Sequence, residues 1–235
     1  MSRRTRLLVI NSPGNPSGRV MSRSDLEAVG ELCEECDAWL VSDEVYEYQC
    51  FDGRSHVMAL SVPSLRRRAI CVSSFGKAFG LTGWRLGHVV AAEPLAWAVH
   101  LAHQQMSYCS PGALQETAAA AWRDGERALT EQRVIAQARR DQLCGGLKDL
   151  GLKVGEVQGG WFCTLDIADL GFDDDIEFCE TIIPEAGVAA APMSVSWEGR
   201  RHGRHLVRLC FAKREQTIAN FLERLERWCA RRGLP

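Results

Sequence analysis

Over the first two-thirds of the chain, short apolar runs alternate with longer amphipathic stretches. Residues 7–10, 39–42, 70–73 and 86–91 each read as a buried strand, because their apolar character is continuous instead of alternating. Between them, residues 24–38 have helical spacing, and Ser24-x-x-Glu27 fits a capping box at the start. Residues 94–106 and 112–122 predict two further helices. Residues 126–147 predict a long, largely solvated one. Continuous apolar strands between helices imply an α/β domain whose sheet is parallel or mostly parallel and covered on both faces. The pattern changes after about Leu150. Residues 153–157 and 161–167 predict strands joined by a turn at Gly159-Gly160. A helix over 173–185, strands over 188–191 and 206–211, and a terminal helix over 214–231 complete a smaller α+β unit. In that last helix Ile218, Phe221, Leu222, Leu225 and Trp228 recur at helical spacing.

Composition narrows the class. The 235 residues are 46% hydrophobic and 25% charged, which excludes a disordered, collagen-like or coiled-coil chain. A net charge of -2 offers no electrostatic footprint for nucleic acid. The basic start, Arg3-Arg4-Thr5-Arg6, precedes an apolar run too short for a signal-peptide core of about 7–15 residues. No run approaches the roughly 18 apolar residues of a membrane span. The ten cysteines are scattered, and without an export signal they imply reduced thiols and a cytoplasmic location. Cys33 and Cys36 form one C-x-x-C with no second pair, inside a helical pattern. They read as structural thiols, and no metal site is expected.

Four segments carry candidate chemistry, each where a strand gives way to a loop, the edge at which open α/β sheets bind ligands. Asn11-Ser12-Pro13-Gly14-Asn15-Pro16-Ser17-Gly18 is a stiff, turn-rich loop. Asn15 precedes a proline, which biases it to an extended backbone and lets its amide face a ligand; a plain Asn-Pro turn is the alternative. Ser42-Asp43-Glu44-Val45-Tyr46 follows a buried run. A carboxylate at Asp43 is costly there unless something cationic meets it, and Tyr46 can share the same cavity; the alternative is an Asp capping a helical turn.

The third segment, from Ser73-Ser74-Phe75-Gly76-Lys77 to Gly83-Trp84-Arg85, sets one lysine among glycines and aromatics. A Walker-type phosphate loop fails here, since Cys71 stands where its first glycine belongs and Ala78 where it needs Ser or Thr. No G-x-G-x-x-G occurs in it either. What remains is a desolvated lysine suited to act as an amine nucleophile, with serine hydroxyls and an arginine suited to a phosphate. Fourth, Arg208 lies in the apolar run Val207-Arg208-Leu209-Cys210-Phe211. It can grip a carboxylate with two hydrogen bonds, or simply be a surface arginine at a strand end. Taken together, these groups match the inventory that pyridoxal phosphate chemistry requires.

The chain resembles the class I/II aminotransferases, fold-type I pyridoxal-phosphate enzymes, and within them the kynurenine/methionine aminotransferase group. The residues that carry the resemblance are Ser-Asp-Glu-Val-Tyr-Glu at 42–47, Ser-Ser-Phe-Gly-Lys and Gly-Trp-Arg within 73–85, Gly-Gly-Trp-Phe at 159–162 and Arg-Leu-Cys-Phe-Ala-Lys at 208–213. It implies residues 1–125 as a partial large, cofactor-binding domain and 126–235 as the C-terminal small domain. It implies pyridoxal 5'-phosphate as cofactor, amino acid and 2-oxo acid as substrates, and a homodimer. Lys77 would hold the cofactor as an imine and shuttle the proton. Asp43 would keep the ring nitrogen protonated, Tyr46 and Asn15 would meet the ring oxygen, and Ser74 and Arg85 would bind the phosphate. Arg208 would clamp the substrate carboxylate. The preferred amino acid would be kynurenine-, methionine- or glutamine-like, and β-elimination from cysteine S-conjugates at the same site is an alternative. The N-terminal third of the family has no counterpart in this chain, so a non-catalytic fragment is a further expectation.

Overall fold

The computed structural model describes residues 1–234. It resolves into two compact units: Met1–Gly14, Arg19–Arg133 and Gln158–Gly160 form the first, and Asn15–Gly18, Val134–Val157 and Trp161–Pro235 the second. Between these two units the main division lies at 133/134, and two short segments cross over in the chain order.

The first unit is built on strands β1 (Leu7–Asn11), β2 (Trp39–Asp43), β3 (Ala69–Ser74) and β4 (Gly87–Ala91), side by side in that order. The first three run parallel and β4 runs antiparallel to β3. Helix α1 (Arg23–Cys36) is the crossover between β1 and β2. Its cap is Ser22, not Ser24: the Ser22 hydroxyl accepts from the Asp25 N–H at 3.1 Å, and Asp25 accepts from the Ser22 N–H at 2.8 Å. The box thus closes two residues earlier, because Ser22 is the last residue with an extended backbone (φ -76°, ψ 168°). Leu26 and Cys33 of α1 pack with Leu40, Ala69 and Cys71 of the sheet and with Ala59, Val62 and Leu65.

Among the described residues, that sheet face is the buried one. On the other, Leu7 is 51% exposed, Val9 63%, Trp39 44% and Val89 39%. The parallel register that sets Leu7 beside Trp39 makes this a continuous apolar surface. The expectation of a sheet covered on both faces is corrected here. Apolar patterning records that a face is apolar; it does not record what covers it.

After β3 come the single-turn helix α2 (Phe75–Ala78), then α3 (Glu93–Met106), α4 (Gly112–Asp124) and α5 (Glu126–Asp149). Helix α5 is not uniformly solvated, since Ala136, Leu143, Cys144 and Leu147 are buried. No helix among the described residues is long and apolar enough to cross a membrane.

The second unit has strands β5 (Phe162–Asp166), β6 (Ala191–Pro192) and β7 (Leu206–Cys210) in the order β5-β7-β6, all antiparallel, with helices α6 (Asp175–Ala186) and α7 (Glu215–Arg232). In its core Phe178 stands edge to face against Phe172 and against Trp228, the latter with centroids 6.0 Å apart at 84°, while Phe172 and Trp228 stack. Three sequence readings are corrected. Residues 153–157 make one isolated bridge, Val154 to Leu165, and no strand. Residues 188–191 shorten to the two-residue β6. Gly159-Gly160 is no hairpin turn, because Gly159 bridges Cys50 and the Gly160 N–H donates to Gln49 O in the first unit. Backbone partners distant in sequence decided all three, and local propensity cannot see them.

A polar clasp holds the loop after β6. Asp175, fully buried, accepts from the Ser194 N–H at 2.6 Å, the Ser194 hydroxyl at 2.7 Å and Arg200 Nη2 at 3.1 Å. Asp174 caps α6 and also binds Arg200 at 2.7 Å and Arg204 at 2.8 Å. The Arg200 hydrogen bond, aided by the Ile176 and Glu177 N–H groups, holds the Asp174 carboxyl well below the usual carboxylate range. A group depressed in the folded state contributes its stability above its unfolded value, near 4, and loses it as pH falls through the folded value. Asp174→Asn is therefore expected to flatten the acid side of the unfolding profile of this unit. Melting temperatures followed from about pH 5 down to about pH 2 test this; a variant with the wild-type slope would count against it.

Candidate functional site

The carboxyl ends of β1, β2 and β3 lie together, and the candidate residues of the first unit cluster there. Register places Asn11 beside Asp43, and Asp43 beside Val72. Asp43 closes β2. Its backbone oxygen accepts from Asn11 Nδ2 at 2.9 Å and from the Ser12 N–H at 3.0 Å. Its side chain is half-buried and accepts from the Val45 N–H at 3.2 Å. No cation pairs with this carboxylate among the described residues.

The chain turns immediately after Asp43, and this turn buries Tyr46, which is 4% exposed. Lys77, half-buried on α2, sets its Nζ 5.8 Å from the centre of the Tyr46 ring. Residues 31 positions apart thus form one amine–phenol contact, held by the pairing of β2 with β3. Ser74 ends β3 and precedes α2 with its hydroxyl making no cap to the helix. The backbone is close-set at Gly76: a Cβ there would stand 3.2 Å from Thr82 Cα and 3.3 Å from Ser74 Oγ, tighter than ordinary contact. Arg85 has a left-handed backbone (φ 54°), and its exposed guanidinium folds back on Thr82 O at 3.2 Å.

The other two predicted residues meet in the second unit. Arg208 Nη1 donates to Asn15 Oδ1 at 3.1 Å, and its guanidinium lies 4.5 Å from the centre of the Phe162 ring. Arg208 is half-buried on the central strand β7, opposite Thr164 and Ala191. Sequence spacing gives no hint of this pairing, which spans 193 positions.

The sequence reading assigned no role to the polar cluster beneath the site. Glu44 is 1% exposed. Its Oε1 accepts from Ser42 Oγ at 2.9 Å, the Ala59 N–H at 2.9 Å and Cys71 Sγ at 3.3 Å, and its Oε2 meets His56 Nε2 at 2.9 Å. Glu47, three residues on, takes a short hydrogen bond from the Ser73 hydroxyl. Burial alone would raise the Glu44 carboxyl, but the hydrogen bonds from His56 and Ala59 outweigh it and hold it low. Burial dominates at Glu47, whose carboxyl is raised in spite of Ser73. Burial and the neighbouring Glu44 push the Cys71 thiol up to about 12, so it acts as a neutral donor. The available signal was the acidic spacing Asp43-Glu44-x-x-Glu47 straight after a buried strand, where carboxylates must find donors.

Comparisons with known proteins bear on the family of the chain. The family described as "Aminotransferase class I and II" matches residues 1–225. Methionine aminotransferase of Escherichia coli (strain K12) is 35% identical over 229 residues, covering 96% of this chain and 58% of that protein. Kynurenine--oxoglutarate transaminase 1 of Homo sapiens is 31% identical over 246 residues, again covering 96% and 58%. The solved N-succinyldiaminopimelate aminotransferase from Mycobacterium tuberculosis superposes with a TM-score of 0.93 at 35% identity, over 97% of this chain and 59% of its own. The chain thus spans a little under three-fifths of the length of these relatives.

Proposed function

The chain belongs to the class I and II aminotransferase family, and from that premise we propose that it carries the lysine, ring-nitrogen and phosphate contacts of a pyridoxal-phosphate aminotransferase moving an amino group between an amino acid and a 2-oxo acid. The observation that carries the reading is Lys77 Nζ set 5.8 Å from the Tyr46 ring, at the sheet end that also holds Asp43.

The donor set fits the cofactor. A half-buried carboxylate with one N–H donor and no protein cation suits a protonated ring nitrogen, and a half-buried amine beside a phenol suits an aldehyde flanked by a ring oxygen. When bound, pyridoxal phosphate supplies an electron sink for the substrate's α-carbon. Lys77 would supply the amine that anchors it and the base for the substrate's α-proton; such positioned bases contribute about 10²–10⁴-fold. Asp43 would keep the ring nitrogen protonated. Tyr46 would meet the ring oxygen with its phenol. Ser74, whose hydroxyl caps nothing, and Arg85 bind the phosphate. Arg208, steadied by Asn15 and the Phe162 ring, receives the substrate carboxylate.

For the substrate side chain, we propose an amino acid of the methionine or kynurenine kind, supported by the names of the two relatives. A homodimer in the cytoplasm belongs to the same proposal. The ten free thiols support a reducing compartment, and sedimentation velocity tests the dimer.

The chain has four lysines, Lys77, Lys148, Lys153 and Lys213, and all but Lys77 are exposed. Borohydride reduction in the presence of pyridoxal phosphate, followed by peptide mapping, is expected to mark Lys77 first and close to one per chain. Even marking of the three exposed lysines, with Lys77 untouched, would refute the reading.

A further inference from the structure

A buried carboxylate that meets four donors from three segments at once is an unusual investment for a strand end. Ser42 belongs to β2, Cys71 to β3, and His56 and Ala59 to the loop between them; all converge on Glu44. Stability gives no sufficient reason for it. A buried charged network often contributes no more than well-packed apolar residues of similar volume, while breaking it by removing one partner is costly. What such a network does supply is a unique geometry.

The geometry it fixes is that of the site above. Side chains alternate across a strand, so Ser42 and Glu44 share the buried side and Asp43 takes the other. Glu44 N–H continues the ladder by donating to Val72 O at 2.8 Å. Glu47 then ties the turn to Ser73, four residues before Lys77. Tyr46 lies between these two anchors, each bonded to β3, the strand that leads into Lys77. Glu44, Glu47 and His56 place ligand-capable atoms within 4.8 Å of one another, the spacing of a metal site. However, Glu44 Oε1 already accepts from three protein donors and Oε2 faces His56, so the protein itself fills the cluster.

We infer that Glu44 and His56 are positioning residues, which hold Asp43 and Tyr46 in fixed relation to Lys77 without touching substrate or cofactor. The inference rests on the aminotransferase reading for its purpose, though not for its test. Glu44→Gln keeps the acceptor oxygen and removes the charge; His56→Gln removes the ring that meets Oε2. Each variant of the full chain is compared with the wild type in two ways. The first is acetylation of Lys77 across a pH series without cofactor, read by mass spectrometry against Lys148, Lys153 and Lys213. The second is the pH midpoint of the visible band of the pyridoxal-phosphate adduct on Lys77.

Both variants are expected to unfold cooperatively and to move the Lys77 profile by about half a pH unit or more, roughly threefold in rate at a fixed pH. The three exposed lysines should not move. Cooperative unfolding with an unchanged Lys77 profile overturns the inference. So does failure of both variants to fold, since the cluster would then serve the fold itself. A wild-type chain with no adduct on Lys77 would refute the aminotransferase reading instead, and the acetylation arm would still decide the positioning role.

Discussion

Lys77→Ala is expected to leave a folded chain that no longer carries a borohydride-stable cofactor adduct and transfers amino groups at least about 10²–10⁴-fold more slowly. The side chain lies on the single turn of α2 and is half-buried, so truncation opens little space in the core. Its Nζ lies 5.8 Å from the centre of the Tyr46 ring, a cation–π contact worth about 0.5–1 kcal/mol at a partly exposed site. Loss of activity should therefore far exceed loss of stability. Lys77→Arg is the informative control. A guanidinium keeps the charge over the ring but stays protonated at any working pH, so it is neither nucleophile nor base. Arginine should keep the melting temperature and fail as completely as alanine. If it retained activity, charge rather than proton transfer would be what position 77 contributes, and the assigned role would be wrong. The measurement is oxo-acid-dependent amino transfer from methionine, set beside the adduct map for each variant.

The candidate site was legible in sequence to the extent that its chemistry is local. Lys77 among glycines and serines, and Asp43 with Tyr46 three residues on, stand out because the functional groups and the strand ends that present them are contiguous. Strands β1 to β4 were legible for a related reason: a continuous apolar run is itself the mark of a buried strand. What escaped was set by partners far along the chain. The contact of Asn15 with Arg208 spans 193 positions, and no spacing rule reaches that far. The bridge from Gly159 to Cys50 turned an apparent hairpin into part of the first unit. Glu44 and Glu47 were visible as letters, but their meaning lay in His56, Ser73 and Ala59, which only the pairing of β2 with β3 brings within reach. The open sheet face is the instructive error. Leu7, Val9 and Trp39 have the composition of a buried face, and among the described residues they stay exposed.

Asp43→Asn separates binding from chemistry at the same site. Asparagine has almost the same shape and keeps an oxygen for the Val45 N–H, while the backbone oxygen still accepts from Asn11 and Ser12. The fold and the attachment of cofactor to Lys77 should both survive. What disappears is the negative charge, in a half-buried place where no described residue forms a salt bridge with it. A neutral amide cannot hold a proton on a ring nitrogen, so the electron demand on the substrate is lost even though every contact remains in place. A fall of about 10²–10³ in the turnover number is expected, the scale seen when one preorganised electrostatic group is removed from a catalytic site. The amount of adduct per chain should stay near the wild type. Single-turnover amino transfer, measured after loading each variant to the same adduct level, makes the comparison. A near-normal rate would remove Asp43 from the ring nitrogen. Loss of adduct and rate together would instead give Asp43 a part in binding, and the electron-sink assignment would then need another carboxylate.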